Sequence, residues 1–233
     1  MSAFHHSGPQ QIERVASSLG DLLPDVVFAG GSILPLLMTD PTGIRFRETD
    51  DVDFVVEIVS RVAYGRFEEA LRLRGFRHVM EPRSPICRFR VDGILVDAMP
   101  MSPDVLGFAN QWYPYGIESA REKETPGGFT VRHLSPPAFL ATKLEAFRDR
   151  GRNDYLASHD LEDVLTVLDG CADIVGDTQK EEPLHTYLAE EARALLNNEA
   201  FLDALPGHIA QGPVTAARAT IVLERLREIA ALA

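Results

Sequence analysis

The sequence predicts an α+β fold: a mixed sheet with flanking helices, followed by a C-terminal helical bundle. Three observations predict it. Short apolar runs separated by glycine turns fill the first 134 residues. Asp92-Gly93 lies between CRFRV and ILVDAM, the strongest short hairpin signal. From Ser135 onward the apolar spacing becomes helical. The expected division is therefore an α/β core over 1–134 and a helical domain over 135–233.

Each element follows from local chemistry. Residues 11–23 read as an amphipathic helix, and VVFA at 26–29 as a short buried strand. Gly30-Gly31-Ser32 turns the chain into ILPLLM, a helix start whose Pro35 falls in the first turn, where a missing N–H costs little. DPTG at 40–43 reads as a loop. VDFVVEI at 52–58 reads as a strand buried on both faces, and 60–74 as a helix stopped by Gly75. A two-residue turn at Asp92-Gly93 pairs Val91 with Ile94, Phe89 with Val96 and Arg88 with Asp97. FTVRHL at 129–134 reads as a further strand. Ser135-Pro136 starts a helix that Gly151 stops, and Ser158 caps another ending near Gly170. Two last helices are expected at roughly 183–204 and 214–231.

Composition narrows the function. An apolar fraction of 45% and a charged fraction of 25% fit a globular chain. No apolar run approaches the roughly 18 residues of a membrane span. MSAFHHSGPQ lacks the basic and apolar regions of a secretory signal, so a cytoplasmic protein without membrane contact is expected. Cys87 and Cys171 form no CxxC pair, which points to reduced thiols and away from cysteine-bound zinc. Net charge is -12, with 15 acids against 6 bases in 151–233 and 20 against 17 in 1–150. Such a chain should not bind nucleic acid non-specifically. Arginines do cluster at 61–90, as a solvated helix face or a basic strip, and again at Arg148, Arg150 and Arg152.

Thr49-Asp50-Asp51-Val52-Asp53-Phe54 is the most informative segment. On a strand Asp51 and Asp53 point one way, Val52 and Phe54 the other. Side-by-side carboxylates repel unless a cation lies between them, and Mg²⁺ accepts carboxylate oxygens while keeping positions for substrate phosphates. The pair alone also fits a solvated strand end. Asp97 interrupts an apolar strand. It is either a third carboxylate beside Asp51 and Asp53, if its strand neighbours theirs, or the cross-strand partner of Arg88. Three carboxylates can hold one or two metals for in-line phosphoryl displacement. The glycines of Gly30-Gly31-Ser32 permit close approach of a phosphate, and the helix start after them offers free N–H groups. No Walker A or G-x-G-x-x-G pattern is present.

Lys143 falls on the stripe of Phe139, Leu140, Leu144 and Phe147, where its ammonium either reaches solvent or meets a buried anion. With 20 Arg and 3 Lys in the chain, a lysine here is a choice; a compact point charge suits a triphosphate. Asp160 follows the Ser158 cap, where an acid also favours the helix dipole. Phe108, Trp112, Tyr113 and Tyr115 either pack as a loop or stack a base.

Gly31-Ser32 followed by Asp51-x-Asp53 and Asp97 resembles the nucleotidyltransferase superfamily, which includes polymerase-β-like enzymes and antibiotic nucleotidyltransferases. Ala141-Thr142-Lys143-Leu144-Glu145-Ala146-Phe147 and Ser158-His159-Asp160-Leu161-Glu162-Asp163-Val164 look like the Lys and Asp motifs of AbiEii/MenT-type nucleotidyltransferase toxins. The resemblance implies a nucleotidyltransferase-fold sheet and transfer of an NMP from an NTP to an acceptor hydroxyl on RNA, a protein or a cationic small molecule. It implies Mg²⁺, with Mn²⁺ as substitute, on Asp51 and Asp53, and phosphates held by Ser32 and Lys143. Asp160 would be a further catalytic carboxylate, and an antitoxin protein a partner. The eight-residue stretch RNDYLASH from Arg152 to His159 is longer than the family's compact motif, so Asp154, Asp160 and Asp163 all stay open for the helical Asp role. A nucleotide sensor without turnover, or a partner-regulated interaction protein with the same fold, is the alternative.

Overall fold

The computed structural model describes residues 8–40, 44, 46–82, 84–151, 154–209 and 215–233. Residues 41–43 of the expected loop, Arg83, Arg152 and the expected helix start at 214 lie outside them. Contacts divide the chain into two compact units, Met1–Leu36 with Glu48–Ser135 and Leu37–Arg47 with Pro136–Ala233.

The first unit is a seven-stranded mixed sheet with helices. Helix α1 (Gly8–Leu19) buries Ile12, Val15, Ala16 and Leu19, one stripe at helical spacing. It ends earlier than expected, because Gly20 takes a φ of 58° and residues Gly20–Asp25 tighten into a 3₁₀ turn. Strand β1 (Val26–Ala29) is wholly buried and leads through a 3₁₀ turn, Gly31–Ile33, into α2 (Leu34–Leu37). Then come β2 (Asp51–Val56), α3 (Arg61–Leu73), β3 (Arg77–His78), β4 (Arg88–Val91) and β5 (Ile94–Pro100). Two short helices, α4 (Pro103–Leu106) and α5 (Tyr113–Glu118), precede β6 (Arg121–Glu124) and β7 (Thr130–His133). Strand order is β3-β4-β5-β2-β1-β7-β6. Two pairings are parallel, β2 with β5 and β1 with β7. The other four are antiparallel.

The β4–β5 hairpin has the expected register, Arg88 opposite Asp97, Phe89 opposite Val96 and Val91 opposite Ile94. Asp92 and Gly93 take φ of 46° and 81°, the left-handed pair that a twisted two-residue hairpin needs. Four short elements escaped the pattern. Strand β6 is REKE, exposed at three of four positions, a charged edge strand with no apolar period to read. Strand β3 spans two residues on the opposite edge, and α4 and α5 are single turns.

One sheet face is the core. Phe54 of β2 meets Phe28 and Phe67 edge-on, each at 6.3 Å between ring centres. Phe67 comes from α3, whose Ser60 cap accepts a hydrogen bond from Ala63 N–H. Tyr64 donates to the carbonyl of Ala98 at 2.8 Å. The opposite face of β2 carries Asp51, Asp53 and Val55.

The second unit is helical: α6 (Pro136–Arg150), α7 (His159–Gly170), α8 (Ile174–Lys180), α9 (His185–Leu196), α10 (Glu199–His208) and α11 (Thr215–Ala230). The expected helix over 183–204 is in fact a 3₁₀ turn (Glu182–Leu184) and two helices. Asn198 breaks it by leaving the helical conformation and capping α10, accepting from Phe201 N–H at 3.0 Å. Helix α8 was missed; Gly176 sits in its middle and weakens any propensity signal. The 37–47 segment joins this unit rather than the α/β core. Thr39 and Asp40 N–H both donate to the Gly170 carbonyl, at 3.2 and 3.1 Å. Arg225 caps the same end of α7 through the carbonyls of Leu168 and Asp169. Cys87 and Cys171 are buried and free. Among the described residues, no helix is long and apolar enough to cross a membrane.

Burial at the β7 end of the sheet gives a pH signature. His133 is 4% exposed, and burial pushes its imidazole down to about 4. The unfolded chain then binds a proton near pH 6.5 that the native chain refuses. Stability is thus fully present above about pH 6.5 and falls toward pH 4, by about 3 kcal/mol from this group. Urea midpoints measured across that window should fall in the wild type, and the fall should be shallower in His133→Gln. Equal slopes would show that His133 is not the group responsible.

Candidate active site

Parallel pairing builds the site. β2 and β5 run side by side with Asp51 beside Leu95 and Asp53 beside Asp97. Residues in register share a sheet face, so Asp97 joins Asp51 and Asp53. One carboxylate oxygen from each lies within 4.8 Å of the others. Asp97 is 8% exposed; Asp51 and Asp53 are half-buried.

Gly30 shapes the floor. Its φ of 65° is open to few side chains, and a Cβ there would lie 1.8 Å from Asp53 Oδ2 and 2.7 Å from Asp53 Cγ. Glycine therefore lets the β1 end pass directly beneath the carboxylate. Gly31 and Ser32 follow, both buried. The Ser32 hydroxyl donates to the Ala29 carbonyl at 3.3 Å.

Two further side chains belong to the cluster. Thr49 donates its hydroxyl to Asp51 Oδ1 at 3.0 Å. Arg88 forks onto Asp97, Nε to Oδ1 and Nη2 to Oδ2, both at 2.7 Å, and its Nη2 also reaches Asp51 Oδ2 at 2.9 Å. Both readings of Asp97 therefore hold: it is the third carboxylate and the cross-strand partner of Arg88. The Asp97 hydrogen bonds raise the guanidinium's affinity for its proton above an already high value.

The donor set fits a hard divalent cation. Three carboxylates on one face are oxygen ligands of the kind Mg²⁺ and Mn²⁺ select.

Lys143 and Asp160 come together in the second unit. Lys143 is 9% exposed and sits on the buried stripe of α6. Its Nζ lies 2.7 Å from Asp163 Oδ2 and 3.2 Å from Asp160 Oδ1. Arg150 forks onto Asp160 at 2.8 and 2.9 Å, and Arg47 lies 3.6 Å from Asp163. Burial would raise the Asp160 carboxyl, but Arg150 and Lys143 outweigh it and hold the group below the usual range. Asp163 is fully buried. Asp154 stands apart: its Oδ1 accepts from the N–H groups of Leu156 and Ala157 and closes a turn. Sequence reading did not single out the Lys143–Asp163 contact. Its one signal is that 160 and 163 lie three apart on a helix and so share a face.

No protein-family model matches the chain. No curated protein matches it in sequence. Among solved structures it is similar to a solution structure of the antibiotic-resistance factor ANT(2'')-Ia, at 17% identity and a TM-score of 0.45, over 80% of this chain and 97% of that one.

Two outcomes are expected from these contacts. Gly30→Ala should cost about 1–3 kcal/mol of stability, because a φ of 65° with ψ of -172° is open essentially to glycine alone, and should displace Asp53. Calorimetric titration with Mn²⁺ should then show weaker binding than in the wild type. Lys143→Met leaves two buried carboxylates short of a cation and should destabilise the chain by about 3–5 kcal/mol in denaturant melts. A loss below about 1 kcal/mol would mean that the aspartates are satisfied without it.

Proposed function

We propose that the chain is a divalent-metal-dependent nucleotidyltransferase that moves an NMP from an NTP to an acceptor hydroxyl. The observation that carries this reading is the convergence of Asp51, Asp53 and Asp97 on one sheet face, against the Gly30 turn. The spacing of the Gly-Ser turn, the D-x-D pair and the third Asp, which resembles nucleotidyltransferases, supports it. The narrower likeness to AbiEii/MenT-type toxins rests on the motifs around Lys143 and Asp160 and belongs to the same proposal.

Asp51 and Asp53 would hold the metal, with Asp97 completing the set. A bound Mg²⁺ would supply charge neutralisation on the triphosphate and orient it for in-line attack. The Gly30–Ser32 turn, whose first glycine makes room for Asp53 and whose second carries no side chain, would let phosphate oxygens approach the backbone. The acceptor hydroxyl would surrender its proton to a carboxylate of the cluster, Asp97 being adjacent to Asp53 in register. Its oxygen bonds to the α-phosphorus as the bond from that phosphorus to the bridging oxygen breaks, and pyrophosphate leaves. Binding without transfer is the second reading, favoured by Arg88, which already neutralises two of the three carboxylates.

The test supplies each α-phosphate-labelled NTP with Mg²⁺ to total RNA, total protein and a panel of cationic small molecules. Label is expected in one pool, falling about a hundredfold or more in Asp51→Asn and Asp53→Asn. Undiminished transfer by both variants would sink the reading. A nucleotide-induced rise in melting temperature with no labelled product would select the binding-only alternative.

A further inference from the structure

We infer that Arg88 is an exchangeable counter-ion: it neutralises Asp51 and Asp97 and becomes a ligand of the nucleotide's phosphates when a divalent metal takes those carboxylates. This inference rests on the nucleotidyl-transfer reading above.

Three contacts carry it. The guanidinium makes two bonds of 2.7 Å to Asp97 and one of 2.9 Å to Asp51. It therefore occupies oxygens from two of the three candidate metal ligands. A divalent cation on those oxygens would stand within a few ångströms of a group that stays charged at every working pH. Both cannot hold the same carboxylates at full strength. Metal binding thus loosens Arg88, and loosening Arg88 favours the metal.

The neighbours on its own face of β4 are unfavourable for a freed guanidinium. Its neighbour on the same face and strand is Arg90, and Arg77 lies opposite Arg90 on β3. Like charges there repel it. The nearby acid Glu81 is already engaged with Arg90, at 3.7 Å. A triphosphate entering with the metal supplies what is missing, paired oxygens that match the guanidinium fork. The side chain is placed for such an exchange: at 23% exposure it is neither sealed in the core nor loose in solvent. It also rises from β4 directly opposite Asp97, so a rotation of its stem keeps the charge beside the site.

A strut would predict the opposite. If Arg88 only braces the carboxylates, its loss lets them spread and weakens metal binding. The two accounts differ in sign. The experiment measures Mn²⁺ binding to nucleotide-free protein by the loss of the free-ion resonance, for wild type, Arg88→Gln and Arg88→Lys. A non-hydrolysable NTP is then titrated with Mg²⁺ present. Arg88→Gln should bind Mn²⁺ alone about tenfold or more tighter than wild type, and the nucleotide more weakly. Adding Asp51→Asn to Arg88→Gln should cancel the gain, which places the effect at the carboxylates. Arg88→Lys keeps the charge but loses the fork; it should also tighten Mn²⁺, by less, and it carries the test if the glutamine variant melts too low to titrate. Unchanged or weaker Mn²⁺ binding in both variants overturns the inference. Mn²⁺ binding by none of the proteins overturns the metal reading with it and is told apart by that shared absence.

Discussion

The parallel pairing of β2 with β5 is the constraint on which the candidate site depends. Side chains alternate across a strand, so a slip of one residue would turn Asp97 into the core and Ala98 out of it. Burial forbids the slip. Val96 and Ala98 on β5, like Val52 and Phe54 on β2, are fully shielded from solvent. The aromatic contacts of Phe54 with Phe28 and Phe67 hold the inner face of β2, and the outer face is where the carboxylates must then lie. The polar cluster is a by-product of register, and register is set by the apolar side.

That origin explains what could be read from the residues alone. The Asp92-Gly93 turn fixed the hairpin and with it the Arg88–Asp97 pairing, since a two-residue turn leaves one register. Local caps placed α6 and α7 at their observed bounds, because Ser158 and Gly151 act within a turn of where they stand. The same logic explains the misses. The charged edge strand β6 has no apolar period, since an edge is kept polar. The break at Asn197-Asn198 lay inside an uninterrupted apolar spacing, which overrode a cap signal that was present. The adjacency of β2 and β5 has no local signal. They are separated by α3, β3 and β4, and no local rule says which strand a distant one will join.

The arginine at the site was legible as a pair and not as a triad. Cross-strand geometry gave Arg88 to Asp97, but its second partner, Asp51, comes from a strand 37 residues away. Asp97 is the residue that two sequence arguments claim, once as the partner of Arg88 and once as a third carboxylate, and it fills both places. Three clustered carboxylates repel one another, and the guanidinium between two of them offsets part of that repulsion.

The Arg88 and Lys143 clusters differ in the property that decides whether partners can change. In the first unit, Asp51 and Arg88 have side chains 31% and 23% exposed, so water can cover a group that lets go of its partner. In the second, Asp163 is wholly buried and Lys143 nearly so. Uncoupling that pair would strand a charge in a poorly polarisable interior, which costs several kcal/mol. A phosphate held by Lys143 must therefore substitute for a carboxylate the lysine already has, rather than add to it. The penalty is smaller at Asp51, which like Arg88 is part-exposed; Asp97, with a side chain 11% exposed, needs the cation in place of the guanidinium. Chemistry that depends on exchanging ions is physically cheaper at Asp51, Asp53 and Asp97, and the interior pair is better suited to holding α6 against α7.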